Sequence, residues 1–147
     1  MANTTDLQPQ QLLAHAADHL LDPDGRALAA AVQWWSLPGL AAGPWPVAVI
    51  GAGPPVLALH GFDSSHLEYR RLAPLLAGGH QLFIPDLFGF GFCPRPLEAS
   101  YGPEAVLDHL ERVLAEVLQR SGAAQVGLIG ASMGGSVAVE LARRCPE

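Results

Sequence analysis

Three short apolar runs constrain this chain more than any other feature. They are "PVLALH" (Pro55–His60), "QLFIPD" (Gln81–Asp86) and "QVGLIG" (Gln125–Gly130). Each is too short for a stable helix, and each is bounded by turn-forming residues, so each reads as a buried strand. The segments between them carry helical signals. Ser65 and Glu68 form an S-x-x-E capping box that predicts a helix through about Leu76, closed by "GGH". Pro103 fits the first position of a helix running to about Arg120. Its buried face is Val106, Leu110, Val113 and Val117, widened by Leu107, Leu114 and Leu118, and Gly122 ends it. A last helix is predicted over 134–145, with Arg143 and Arg144 near its end and Pro146 just after. Strands that alternate with helices need crossover connections. The expected fold class is therefore α/β, with a mostly parallel sheet flanked by helices on both faces.

The first part of the chain has a different rhythm. Residues 6–21 read as a helix, with Thr5 and Gln8 as a capping box and Pro9 in the first turn. "DPDG" (Asp22–Gly25) breaks it, and a second short helix is expected over 26–31. "VQWWSL" and "PVAVI" are β-branched and aromatic runs between Pro and Gly, and read as strands. The expected division is an N-terminal helical extension (1–30) followed by one α/β unit (31–147). Trp34 and Trp35 are read as strand aromatics and Asp63 as a turn residue. His15, His19, His80 and His109 show no metal spacing and are expected at the surface. His66, in a predicted first turn, is expected to be exposed.

Composition removes several function classes. Net charge is −6, and all eight basic residues are arginine, so the basic patch of a nucleic-acid binder is missing. Cys93 and Cys145 make neither a disulfide framework nor a metal site. "MANTTDLQPQ" lacks the pattern of a signal peptide, and no apolar run approaches the roughly 18 residues of a membrane span. The expectation is a cytoplasmic protein without metal. "VAVIGAGPP" imitates a dinucleotide fingerprint through Gly51 and Gly53. The third glycine position holds Val56, however, and another strand follows where a helix is required, so no nucleotide cofactor is expected either.

Chemistry concentrates around Ser132. Gly130-Ala131-Ser132-Met133-Gly134 matches G-x-S-x-G. The pattern alone is weak, but here it follows a buried strand and opens a helix, which is the context it needs. A tight strand-to-helix turn lifts the serine hydroxyl clear of the sheet. Strand and helix then pass so closely that a Cβ at 130 or 134 would clash. The competing reading is that Ser132 only caps the last helix. "LALHGF" places His60-Gly61-Phe62 at the end of another buried strand. Gly61 allows a sharp turn, and the Phe62 N–H with the Met133 N–H would make an oxyanion hole. His60 is read as a brace for this loop and not as a base. Asp86, with Gly89 and Gly91 after it, is read as an acceptor for backbone N–H groups of its own turn.

With His60-Gly61, Asp86-x-x-Gly89-x-Gly91 and Gly130-x-Ser132-x-Gly134 in this order, the chain resembles the α/β-hydrolase superfamily from about Trp34 to Glu147. Cys93 departs from the serine often found there, and residues 1–30 have no counterpart in the common core. The resemblance implies that Ser132 is the nucleophile and that Phe62 and Met133 are the oxyanion donors. The substrate it implies is a small molecule with an ester-like carbonyl. Branches that use an aspartate nucleophile are disfavoured by Ser132. The superfamily orders its triad as serine, acid, histidine. Only Glu140 and Glu147 are acidic after Ser132, and no histidine follows it. The superfamily sheet order 1-2-4-3-5-6-7-8 would be represented by its first five strands, with the C-terminal strands missing. The expectation is the N-terminal half of a hydrolase, inactive as this chain alone, whose bare fifth strand invites self-association. The alternative is a non-catalytic half-domain that serves as a scaffold or is completed by a partner.

Overall fold

The computed structural model describes residues 7–146. Two helices come first, α1 (Pro9–His19) and α2 (Pro23–Ala30), then strands β1 (Val32–Trp35), β2 (Trp45–Gly51) and β3 (Pro55–Leu59). A 3₁₀ turn (His66–Tyr69) and a one-turn helix α3 (Ala73–Leu76) lead to β4 (Gln81–Pro85). Helix α4 (Pro103–Ser121), strand β5 (Gly127–Gly130) and helix α5 (Met133–Arg144) complete the chain.

The five strands form one sheet in the order β1-β2-β4-β3-β5. β3 lies between β4 and β5 and is parallel to both, as the strand–helix alternation requires. β2 and β1 extend the sheet antiparallel beyond β4. The parallel pairing sets Leu57 level with Phe83 on one side and Leu128 on the other. Alternation along β3 and β4 divides the core between the two faces. Leu57, Leu59 and Phe83 pack with Val106, Leu110, Val113 and Val117 of α4 and Ala138 and Leu141 of α5. Ala58, Leu82 and Ile84 face the other way, onto Leu28 of α2, Tyr69 and Ala73.

Several sequence expectations are corrected. The capping box at Thr5 lies outside the described residues. Within them, the helix starts at Pro9, and the Gln8 N–H donates to Gln11 Oε1 at 3.0 Å. "DPDG" is a helix start as well as a break: Asp22 accepts the Asp24 N–H and Pro23 opens α2, which ends at Ala30. The helix expected from Ser65 to Leu76 is divided. Pro74 has no N–H and cannot lie inside a helix, so a 3₁₀ turn ends at Tyr69 and α3 begins with Pro74 in its first turn. Ser65 does cap the first piece, accepting the Leu67 N–H at 3.3 Å, but Glu68 does not close the box. Gly51 and Gly53 have φ of +78° and +121° and press against the backbone of residues 77–80. They form the turn from β2 to β3, strands that β4 separates in the sheet.

His109 is not at the surface. It lies on the buried face of α4, its ring 4.7 Å from that of Trp45. Burial drives its pKa down to about 4, so it is neutral at pH 7. His66 is buried as well. His15, His19 and His80 are exposed. Trp35 is a core strand residue, with the Arg120 guanidinium 4.4 Å above its ring.

Candidate active site

The C-terminal ends of β3, β4 and β5 bring the three sequence motifs together. β5 ends at Gly130 and α5 starts at Met133, which leaves Ala131 and Ser132 to reverse the chain. Ser132 has φ 52° and ψ −119°, a combination that non-glycine residues rarely adopt. The residue is exposed, although it occupies the N-cap position of α5 its side chain makes no capping hydrogen bond. The helix-cap reading of Ser132 therefore finds no support. The two flanking glycines are required by contact. A Cβ on Gly130 would strike the backbone of Gly134 and Gly135, and one on Gly134 would strike the carbonyls of Leu59 and His60.

The turn after β3 lies directly against the serine. A Cβ on Gly61 would stand 3.4 Å from both Ser132 Cβ and the Ala131 carbonyl oxygen. His60 holds this turn from beneath. Its Nε2 accepts the Leu87 N–H at 2.9 Å, which leaves Nδ1 protonated to donate to the Gly61 carbonyl at 2.7 Å. Both ring nitrogens are thus engaged, and burial lowers the pKa. This is a neutral bracing histidine with no lone pair left for Ser132. Among the described residues, the N–H groups of Phe62 and Met133 donate to no protein acceptor. Phe62 is 73% exposed, and its ring lies edge-on to that of Phe90, 5.4 Å away.

Asp86 at the end of β4 is fully buried. Its Oδ2 accepts the Phe92 N–H of its own loop at 2.8 Å, as the sequence suggested. Its Oδ1 accepts both the N–H (2.6 Å) and the Nδ1–H (2.8 Å) of His66, a pairing the sequence did not reveal. Gly91 is fixed beside the same carboxylate, with φ +55° and no room for a Cβ. Cys93 is buried there too, and its thiol donates to the Asp86 carbonyl at 3.2 Å.

Two further contacts escaped sequence reasoning. Glu68 Oε2 accepts the Gly61 N–H at 2.7 Å, and the Tyr69 hydroxyl donates to the Leu59 carbonyl at 2.7 Å. The Leu59 carbonyl also accepts the Ala131 N–H of the serine turn at 3.0 Å. The S-x-x-E signal did single out Glu68 but aimed it at a cap. Nothing in one sequence shows that a side chain seven residues on reaches back to Gly61.

Phe62, Phe90, Tyr101, Val106, Met133 and Val137 line a largely apolar cavity of about 390 Å³ that adjoins the serine turn. Glu140, the acidic residue nearest in sequence after Ser132, is held by Arg143 at 2.7 Å and Arg144 at 3.1 Å. These guanidiniums pull its pKa down to about 2, and its carboxylate is committed to them. Among the described residues, no three His, Cys, Asp or Glu side chains gather as a metal site, and no helix is long and apolar enough to cross a membrane.

The alpha/beta hydrolase fold family matches residues 54–147. Lipase 1 of Psychrobacter immobilis is 40% identical over 97 residues, covering 65% of this chain and 29% of that protein. The 2-hydroxymuconate semialdehyde hydrolase of Pseudomonas sp. (strain CF600) is 36% identical over 100 residues, covering 66% and 34%. The chain thus spans about a third of the length of these relatives. A variant of the Vigna radiata epoxide hydrolase superposes with a TM-score of 0.67 at 26% identity, over 78% of this chain and 35% of that structure.

Proposed function

Because the chain belongs to the α/β-hydrolase fold family, we propose that its protein is a serine hydrolase, with Ser132 as nucleophile toward an ester-like carbonyl. The exposed, strained Ser132 with Gly61 packed against it is the observation that supports this most. In the proposed reaction Ser132 Oγ attacks the carbonyl carbon and gives up its proton to a base. Charge then develops on the carbonyl oxygen, and the free N–H groups of Phe62 and Met133 receive it. Collapse expels the alcohol or other leaving group and leaves an acyl ester on Ser132. Water hydrolyses that ester to free acid and restored serine. Serine at position 132 is also the feature that separates this chain from the aspartate-nucleophile branches of the superfamily.

His60 does not serve as the base, since both its nitrogens are engaged, and Glu140 does not serve as the acid. The base and acid of the proposed reaction are thus assigned to no described residue. On this reading the 147-residue polypeptide alone does not turn over. The apolar cavity beside the serine favours an apolar acyl group.

A second reading is a non-catalytic or partner-completed half-domain. It rests on β5, which pairs with β3 and with no other described strand. Hydrolysis of p-nitrophenyl esters by the full-length protein discriminates between the two. The hydrolase reading expects multiple turnovers that vanish in Ser132→Ala. Turnover retained in that variant, or none in either protein, contradicts it.

A further inference from the structure

The 3₁₀ turn His66–Tyr69 ties together two of the three motif segments, those that follow β3 and β4. His66 binds Asp86 at the end of β4, Tyr69 binds the Leu59 carbonyl at the end of β3, and Glu68 binds the Gly61 N–H. Asp86 sits below the site, and the Leu59 carbonyl belongs to the sheet. Only the Glu68 contact falls on the turn that packs against Ser132 and carries the Phe62 N–H. We infer that Glu68 is a positioning residue: its carboxylate fixes the Gly61 peptide and thereby aims the Phe62 N–H at the oxyanion. This inference rests on the proposed reading of Ser132 as nucleophile and Phe62 as donor.

Backbone geometry makes Glu68 a clamp on this turn. Gly61 has no Cβ and is the least restrained residue of the turn. Its two flanking peptide planes decide where the Phe62 N–H points. The plane between Gly61 and Phe62 is held at its oxygen by His60 Nδ1–H, 2.7 Å away. In a trans peptide the N–H lies opposite that oxygen, so His60 holds the Phe62 N–H away from the protein interior. The plane between His60 and Gly61 is held at its N–H by Glu68 Oε2, also 2.7 Å away. A carboxylate accepting a backbone N–H at this distance makes a stronger bond than a neutral acceptor. With both planes pinned, the donor is set before charge develops, which is what an oxyanion donor requires. A Cβ on Gly61 would be 3.6 Å from Glu68 Oε2 and 3.4 Å from Ser132 Cβ, so the clamp and the nucleophile flank the same residue. The other anchors of this turn are main chain or histidine. Glu68 is the one whose removal frees the Gly61 N–H without disturbing the sheet.

Two measurements test this on the full-length protein. His-Gly occurs once in these 147 residues; with ¹³C′-His and ¹⁵N-Gly labelling, the Gly61 amide is the His–Gly signal that disappears in Gly61→Ala. In Glu68→Ala that amide proton is expected to move upfield, and in Glu68→Gln to return part of the way, because the amide oxygen still accepts the bond. In ester hydrolysis, Glu68→Ala is expected to lose about tenfold to a hundredfold in kcat with KM changed less than about threefold. Affinity for a trifluoromethyl ketone, which binds as a tetrahedral oxyanion, should fall by the same factor as kcat. Glu68→Gln should recover most of the loss. A merely structural glutamate would lower thermal stability without moving kcat and ketone affinity together. An unmoved Gly61 signal in both variants overturns the inference, as does Glu68→Ala with wild-type kcat and ketone affinity. If Ser132→Ala keeps its activity, the nucleophile reading fails instead, and the oxyanion role assigned to Glu68 falls with it even where the Gly61 signal moves.

Discussion

At Gly61 the room for a single methyl group decides whether the turn after β3 fits against Ser132. A Cβ there would already touch Ser132 Cβ and the Ala131 carbonyl at 3.4 Å, and the branched side chain of valine adds two methyl groups beyond that. The neighbouring Phe62 contributes its N–H on the proposed mechanism, and its exposed side chain adds an apolar wall to the cavity that leucine would preserve. Gly61→Val is therefore expected to lower kcat of the full-length protein by roughly 10²–10³-fold, the loss associated with an oxyanion donor, while Phe62→Leu lowers it less than about threefold. Steady-state kinetics with a p-nitrophenyl ester checks this, and equal losses would contradict the backbone role. The glycines at 130 and 134 were legible in the sequence because a strand–turn–helix leaves no space for a Cβ, whatever the rest of the fold. Glu68 was legible only as a local cap. Its real partner depends on how the turn folds back over β3, and that information is spread over the whole sheet.

Helix α4 shows what periodicity can and cannot reveal. Its stripe of Val106, Leu110, Val113 and Val117 is buried as read, and His109 lies in the same stripe, three residues after Val106 and four before Val113. The spacing thus contained the burial of His109, but residue type outweighed it. Neither ring nitrogen of His109 has a hydrogen-bond partner among the described residues, so the neutral form is the one the core tolerates. Its pKa is about 4 folded against 6.5 for an ordinary histidine. Between those values the unfolded chain binds the proton and the folded chain does not, so stability falls as pH drops from about 6.5 to about 4 and levels off below that. The loss assigned to His109 is on the order of 3 kcal/mol. Chemical denaturation at pH 7, 5 and 4 should show a shallower decline for His109→Leu, with pH 7 stability held or raised because two unpartnered nitrogens are removed. Parallel curves for the two proteins would contradict this. His60 is depressed in the same direction and leaves a residual slope in both.

For the whole molecule, the order β1-β2-β4-β3-β5 is the one the superfamily resemblance implied for the first five strands, while strand–helix alternation accounts for the parallel pairing of β3 with β4 and β5. The pairing of β2 with β4 is the one implied by the superfamily order; periodicity alone did not reveal it, because it depends on contacts thirty and more residues apart. At the far edge, β5 carries half-buried Leu128 and Ile129, and an apolar groove of about 200 Å³ beside it is lined by Leu114, Leu118, Val126 and Leu141. A strand with one unpaired edge and apolar neighbours is a template for association. Sedimentation velocity of the isolated 147-residue polypeptide is expected to show concentration-dependent association. A sharp monomer at every concentration would contradict it. A fluorophosphonate probe transfers its phosphonyl group to an activated serine with loss of fluoride, and peptide mass spectrometry locates the new O–P bond. In the full-length protein the adduct is expected on the peptide containing Ser132 and to disappear in Ser132→Ala. Labelling that persists in that variant, or that maps to any other residue, contradicts the account.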